Sequence, residues 1–247
     1  MKTSKIIFLS AIIIILLSIT IFMVFLKFNY ERDCIIGNGN KVNKDIKLQH
    51  FTKVSLNIPV HVEIKQDSIQ KVTISTDENI LQSLDLSVDY EMLNIQKEKC
   101  IKGMDHINIS ISMDTLKEVN LNSGGSLKSN GTIKGNSLNA YVTSGGNLEM
   151  KMAYSQINCT LSAGAQAWFV GKADNMNAEL SSGSNLKTSE LKIENCKVKA
   201  ESGAIANVNV SGELTAEANS GGTVRYYGNP AKQNKITNSG GSVSKAE

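Results

Sequence analysis

Few side chains in this sequence are equipped for acid–base or nucleophilic chemistry. Its three histidines, His50, His61 and His106, all lie in the N-terminal half, so a histidine-activated nucleophile has no base further along the chain. From residue 116 onward the only aspartate is Asp174, and Glu149, Glu179, Glu190, Glu194, Glu201, Glu213 and Glu217 stand singly. That scatter gives no support to the paired carboxylates that hydrolyse glycosides. Gly-Gly clusters resemble calcium-binding nonapeptide turns, but Lys, Glu or Ser occupies the place where each such turn needs an aspartate. No Gly-Lys-Ser/Thr follows a glycine pair, so a phosphate-cradling loop is absent as well. Two arginines, Arg32 and Arg225, and a net charge of +3 leave little for nucleic acid to hold. The chain reads as a non-enzyme with no cofactor, no metal and no nucleic-acid partner.

Whatever function exists must sit on a repeat. Short Ser-Gly-rich clusters recur and mark turns, as in Asn122-Ser123-Gly124-Gly125 and Asn219-Ser220-Gly221-Gly222. With the register anchored on Gly124, Gly145, Gly164, Gly183, Gly203, Gly221 and Gly241, successive spacings are 21, 19, 19, 20, 18 and 20 residues. One hydrophobic pattern holds around these anchors. Five residues before them stand Val119, Ala140, Cys159, Ala178, Val198, Ala216 and Ile236; three before stand Leu121, Val142, Leu161, Leu180, Ala200, Ala218 and finally Asn238. Three residues after the first six come Leu127, Leu148, Ala167, Leu186, Ala206 and Val224. A period of two means strand. Each repeat is expected to be two short strands joined by a corner where glycine takes a positive φ without a Cβ clash.

One repeat cannot fold alone. Burying four or five small apolar side chains contributes at most roughly 1.5–3 kcal/mol each, against an ordering cost of about 1–2 kcal/mol per residue. Stacking coils at about 4.8 Å supplies the missing burial and the hydrogen bonds between coils. The architecture that follows is a parallel β-helix. A leucine-rich repeat would need Leu-x-x-Leu-x-Leu followed by Asn, and a propeller blade about 40 residues. Residues 45–115 alternate without a clear repeat, as at Val54, Leu56 and Ile58 or Ile107, Ile109 and Ile111, and suit first coils or a cap. At the other end Asn234 and Asn238 replace apolar residues, which reads as a polar cap.

The first 28 residues are of another kind. Ile6 to Leu26 is a run of 21 residues whose only polar members are Ser10, Ser18 and Thr20, enough helix to span roughly 30 Å. The run is longer than a signal-peptide core and lacks an Ala-x-Ala-like site, so it reads as an uncleaved anchor; a long signal peptide that is eventually cut is the alternative. Lys2 and Lys5 favour an N-terminus in the cytoplasm, with the rest outside. Cys34 does not fit a lipoprotein site, because Glu31, Arg32 and Asp33 precede it. Cys34 and Cys100 can pair in an oxidising compartment or remain free; Cys159 and Cys196, on rungs about 10 Å apart, read as small core residues.

These residues resemble a known family. Gly37-Asn38-Gly39-Asn40, then Phe51, Val54, Leu56, Ile58-Pro59-Val60, Val62 and Ile64, Asp77-Glu78-Asn79-Ile80, and the Ser-Gly-Gly corners ending near Tyr226-Tyr227-Gly228-Asn229-Pro230 are similar to the autotransporter adhesin head GIN domain family, over about residues 37–247. The resemblance implies a bacterial envelope protein with a right-handed β-helix and an adhesive role. This sequence departs from an autotransporter in that no C-terminal stretch of it offers the alternating strands of roughly ten residues of an outer-membrane barrel.

The expected fold is therefore all-β: a single-stranded right-handed parallel β-helix, or solenoid, preceded by one N-terminal transmembrane helix. Its organisation is an n-region at 1–5, an anchor at 6–28, a linker at 29–44 and the β-helix domain at 45–247, with the regular repeats in 116–247. Phe169 and Tyr226 fall on inward positions, which leaves Trp168, Tyr141 and Tyr227 as outward rings able to contact a ligand. The expected function is a non-catalytic recognition or adhesin module anchored in the cytoplasmic membrane through residues 6–28, its domain in the periplasm or at the cell surface. A surface glycan or a protein is the expected ligand. The alternative is an envelope scaffold or stress-sensing domain that self-associates or stacks with partners through its strand ends.

Overall fold

The computed structural model describes residues 8, 12–25 and 34–246. Residues 12–25 are helical and exposed along their whole length. The n-region at 1–5 lies outside the described residues, as do residues 6, 7, 9–11 and 26–28 of the expected anchor and 29–33 of the expected linker. Among the described residues no helix is long and apolar enough to cross a membrane.

The rest is a β-solenoid of about seven turns. The inward columns read from the sequence are its core: Val119, Ala140, Cys159, Ala178, Val198 and Ala216 are all buried, as are Leu127, Leu148, Ala167, Leu186, Ala206 and Val224. Between glycine corners the two expected strands merge into one long strand per coil: Ser126–Val142, Asn147–Leu161, Gln166–Leu180, Asn185–Ala200 and Ile205–Ala218. Each pairs in parallel with the next. At the bend opposite the glycine corner the ladder continues, with register shifts that absorb differences in coil length.

Every corner is the same turn. The amide of the residue after the glycine donates to the carbonyl three residues back, from Gly125 to Asn122 through Gly241 to Asn238, at 2.8–3.2 Å. Both central residues have positive φ, as a type I′ turn demands. Glycine fills the second place, while Ser123, Ser144, Ala163, Ser182, Ser202, Ser220 and Ser239 take the first, at φ 48–54°. Left-handed backbone costs a residue with a Cβ about 1–2 kcal/mol. It persists because it turns that residue's carbonyl toward the neighbouring coil. There it accepts the glycine amide, as from Gly124 to Ser144 at 3.0 Å and from Gly203 to Ser220 at 3.2 Å.

The last corner corrects the sequence register by one. The glycine with positive φ is Gly240, not Gly241, because the Asn238 carbonyl closes the turn on the Gly241 amide. The strand Lys232–Thr237 consequently places Gln233, Lys235 and Thr237 beside Leu214, Ala216 and Ala218. Ile236, expected inside, is 40% exposed. The polar end is thus built from Lys235 and Gln233 rather than from Asn234 and Asn238. The Lys235 ammonium donates to the Tyr226 hydroxyl at 2.6 Å and lies 4.5 Å from the ring centroid, and that hydroxyl donates to Gln233 Oε1 at 3.1 Å.

At the N-terminal end a true coil and a cap are combined. Lys53–Leu56 and His61–Gln66 pair in parallel with Glu118–Leu121 and Ser126–Val142, so residues 51–66 continue the stack. Outside them, Lys71–Asp77 pairs antiparallel with Lys41–Ile46 and with Asn108–Met113, and Leu84–Asp89 forms a hairpin with Met92–Lys97. The strand Lys41–Ile46 crosses the expected linker boundary at 44. Cys34 and Cys100 form a disulfide with Cα atoms 4.5 Å apart. A parallel bridge extends it, with the Ile35 amide donating to the Cys100 carbonyl at 2.8 Å and the Lys102 amide to Ile35 at 2.9 Å. Cys159 and Cys196 are free and buried.

Candidate functional site

The three outward aromatics do not form one site. Trp168 is 44% exposed and stands in the column Lys128, Glu149, Trp168, Lys187. Tyr141, 47% exposed, belongs to the column Asn120, Tyr141, Thr160, Glu179, Lys199, on the other side of the glycine corner. Tyr227 pairs with Asn209 in a third column and is half-buried. Phe169 and Tyr226 are core residues, and so is Tyr154, whose hydroxyl donates to the Leu116 carbonyl at 2.9 Å. Burial pushes that hydroxyl well above the usual tyrosine range.

Trp168 lies in a hollow, and coil length explains why. The strands Ser126–Val142 and Asn185–Ala200 have 17 and 16 residues, while Asn147–Leu161 and Gln166–Leu180 between them have 15 each. The two short coils stay in register with each other. Against their longer neighbours the register shifts, between Glu149 and Lys151 on one side and between Trp168 and Gly171 on the other. The surplus residues are carried outward, and the short coils form the floor of a hollow of about 430 Å³. Glu149, Met150, Lys151, Trp168 and Val170 line it from the short coils, Lys128 and Ser129 from one long coil, and Glu190 from the other.

Its polar groups are held in place. The Lys128 ammonium is 3.2 Å from Glu149, and the Asn147 amide donates to the same carboxylate at 3.3 Å. Together these hold the Glu149 carboxyl below its usual range against the opposing effect of burial. Ser129 Oγ accepts the Lys151 amide at 2.8 Å, so the backbone donor freed by the register shift is satisfied.

A second trough, of about 580 Å³ and lined mainly by polar side chains, runs along the other face. Asn158, Asn177, Lys197, Lys199, Thr215 and Glu217 are among its lining residues. The asparagines form a ladder, Asn177 donating to Asn158 at 3.3 Å and Asn158 to Asn139 at 2.9 Å. Lys199 is 2.8 Å from Glu201, which raises its pKa, and 3.8 Å from Glu217. Among the described residues no three histidines, cysteines or carboxylates gather where a metal ion could be held.

The family described as "Putative auto-transporter adhesin, head GIN domain" matches residues 50–230. The chain belongs to that family. Solved structures similar to this head GIN domain include a putative adhesin from Bacteroides fragilis, with a TM-score of 0.77 at 14% identity, covering 86% of this chain and 100% of that one. A putative adhesin from Parabacteroides merdae has a TM-score of 0.68 at 17% identity, covering 87% and 100%. A protein from Parabacteroides distasonis described as putative lipid binding has a TM-score of 0.67 at 20% identity, covering 86% and 99%. At these identities the likeness establishes the fold. No curated protein matches the chain.

Within this head GIN domain, the sequence singles out Trp168 as an outward ring but not the residues that surround it. Glu149 and Glu190 read as solvated single charges, and Lys128 and Lys151 attract no notice. The signal lies in the anchor spacings: 21, 19, 19 and 20 place two short coils between two long ones.

Proposed function

We propose that this head GIN domain is a non-catalytic recognition module of adhesin type, held by residues 6–28 on the outer side of a bacterial cytoplasmic membrane. The right-handed sense of its solenoid is taken from the family resemblance. The observation that carries the reading is the Cys34–Cys100 disulfide, a few residues beyond the apolar run. Disulfides persist in oxidising compartments and are rare in the cytosol, which favours placing the folded domain outside. The helix at 12–25 supports the anchor: its apolar side chains are exposed on every side, and its two hydroxyls bond back to their own helix, Ser18 to Ile15 and Thr20 to Leu17, both at 2.8 Å. Such a helix suits lipid, where every polar group must find its partner internally. The family description and the two similar proteins described as adhesins support the recognition role. Regular outward columns repeated coil after coil can offer many weak contacts, whose avidity exceeds any one of them. End-to-end stacking as a scaffold is disfavoured by the lysine-bearing last rung.

The test is protease accessibility of a tag placed after Glu247, on intact cells and on cells with the outer layer opened, with a sealed-cytoplasm control. Cleavage on intact cells is the expected result for an adhesin. Cleavage only after opening would leave an envelope module without surface contact, and protection in both states would overturn the topology.

A further inference from the structure

We propose that the hollow around Trp168 is a subsite for one neutral pyranose unit of a glycan chain; this rests on the recognition reading and gives it a ligand class. The indole is the only tryptophan in the sequence, and it stands outward and nearly half exposed on the hollow's floor. An aromatic face carries a negative quadrupole and attracts the positively polarised C–H groups of a flat partner. A pyranose offers such a face on one side and a rim of hydroxyls at its edge.

The surroundings fit that rim. Glu149 and Glu190 accept hydrogen bonds from hydroxyls, and Lys128 and Lys151 donate them. The Lys128–Glu149 pair is already formed, so its members are oriented before a ligand arrives. Two carboxylates against two ammoniums leave no net sign. Lys151 and Glu190 line the same hollow, so an acidic sugar drawn to Lys151 would also meet Glu190, and a cationic group drawn to Glu190 would also meet Lys151. A neutral polyhydroxylated ring satisfies both without an unpaired charge. The flanking long coils limit the hollow along the solenoid axis, which suits a single ring rather than an extended stacking platform.

Because Trp168 is the sole tryptophan, its fluorescence reads this site alone. The full chain in lipid nanodiscs is titrated with neutral hexose and N-acetylhexosamine oligosaccharides, and in parallel with uronic-acid oligomers. The expected result is a saturable emission change with at least one neutral oligosaccharide. By calorimetry Trp168→Ala should weaken binding of the same sugar about tenfold or more, as loss of a central tryptophan contact does, and Trp168→Phe should retain part of the affinity. No response to any neutral oligosaccharide, a response to uronic-acid oligomers alone, or an affinity unchanged in Trp168→Ala would overturn the proposal. A domain that is protease-accessible on cells yet silent to sugars loses only this subsite; one that binds sugars but is never accessible loses only its placement.

Discussion

The tight corners make a sharp prediction about two adjacent glycines. Gly221 has φ +75° and no atom within 4 Å of where a Cβ would stand. Gly221→Ala therefore carries only the cost of left-handed backbone, about 1–2 kcal/mol. At Gly222 a Cβ would be driven into the Ala200 carbonyl of the preceding coil, far inside contact distance. That carbonyl already accepts the Asn219 amide at 2.9 Å, so the rung must open and the bond stretch. Overpacking of about 1–3 kcal/mol and a lost hydrogen bond of about 1 kcal/mol give roughly 2–4 kcal/mol. Solenoid coils depend on their nearest neighbours, so the damage should appear as local opening of residues 219–246 rather than as global unfolding. Native-state amide exchange in that segment should accelerate by roughly 30- to 1000-fold in Gly222→Ala and by about tenfold in Gly221→Ala, at 1.4 kcal/mol per factor of ten. Ala165, Ser184 and Ala204 occupy the matching place in three other corners, fully buried. If Gly222→Ala exchanges no faster than Gly221→Ala, the rung has relaxed to their geometry and the steric argument is wrong.

Three further outcomes are expected. The disulfide closes a 66-residue separation, so Cys34→Ser should destabilise the N-terminal cap by about 4 kcal/mol in urea unfolding, and reductant should do the same to the parent protein but not to the variant. Tyr154→Phe leaves the Leu116 carbonyl unpaired in the core and should cost about 1–2 kcal/mol in the same assay. Burial pushes the Cys159 and Cys196 thiols up from 9.0 to about 12, so the native protein should take up no thiol reagent at these positions near neutral pH, whereas urea should expose both. Since the folded value is raised, the stability these thiols contribute is complete below the unfolded value of 9.0 and is lost as pH rises from there toward about 12.

The regular coils were legible because their apolar residues recur at fixed distances from a glycine, and Val119, Ala140 and Val198 are buried as that pattern requires. Legibility ended where the pattern had nothing apolar to hold it. In the last coil Gly240 and Gly241 fit the turn equally well on paper, and polar neighbours could not decide between them. The left-handed serines were invisible too, since their conformation is rewarded only by a bond to the next coil. The antiparallel strands of the cap share the period-two alternation of parallel strands, so strand direction there could not be read. At the candidate site the tryptophan announced itself by type. The hollow came from differences of one or two residues in coil length, which matter only once the coils are stacked.

Lys235 has a consequence for the fate of the molecule at high concentration. A stack of parallel strands with an open end is a ready template for fibril growth. Here the final rung offers an ammonium and two polar side chains where an added strand would seek apolar ones. A chain docking on that end would have to strip water from the charge without a carboxylate to receive it. The Lys235 ammonium on one side of the stack and the antiparallel strands of the cap on the other thus both work against the addition of a further parallel strand.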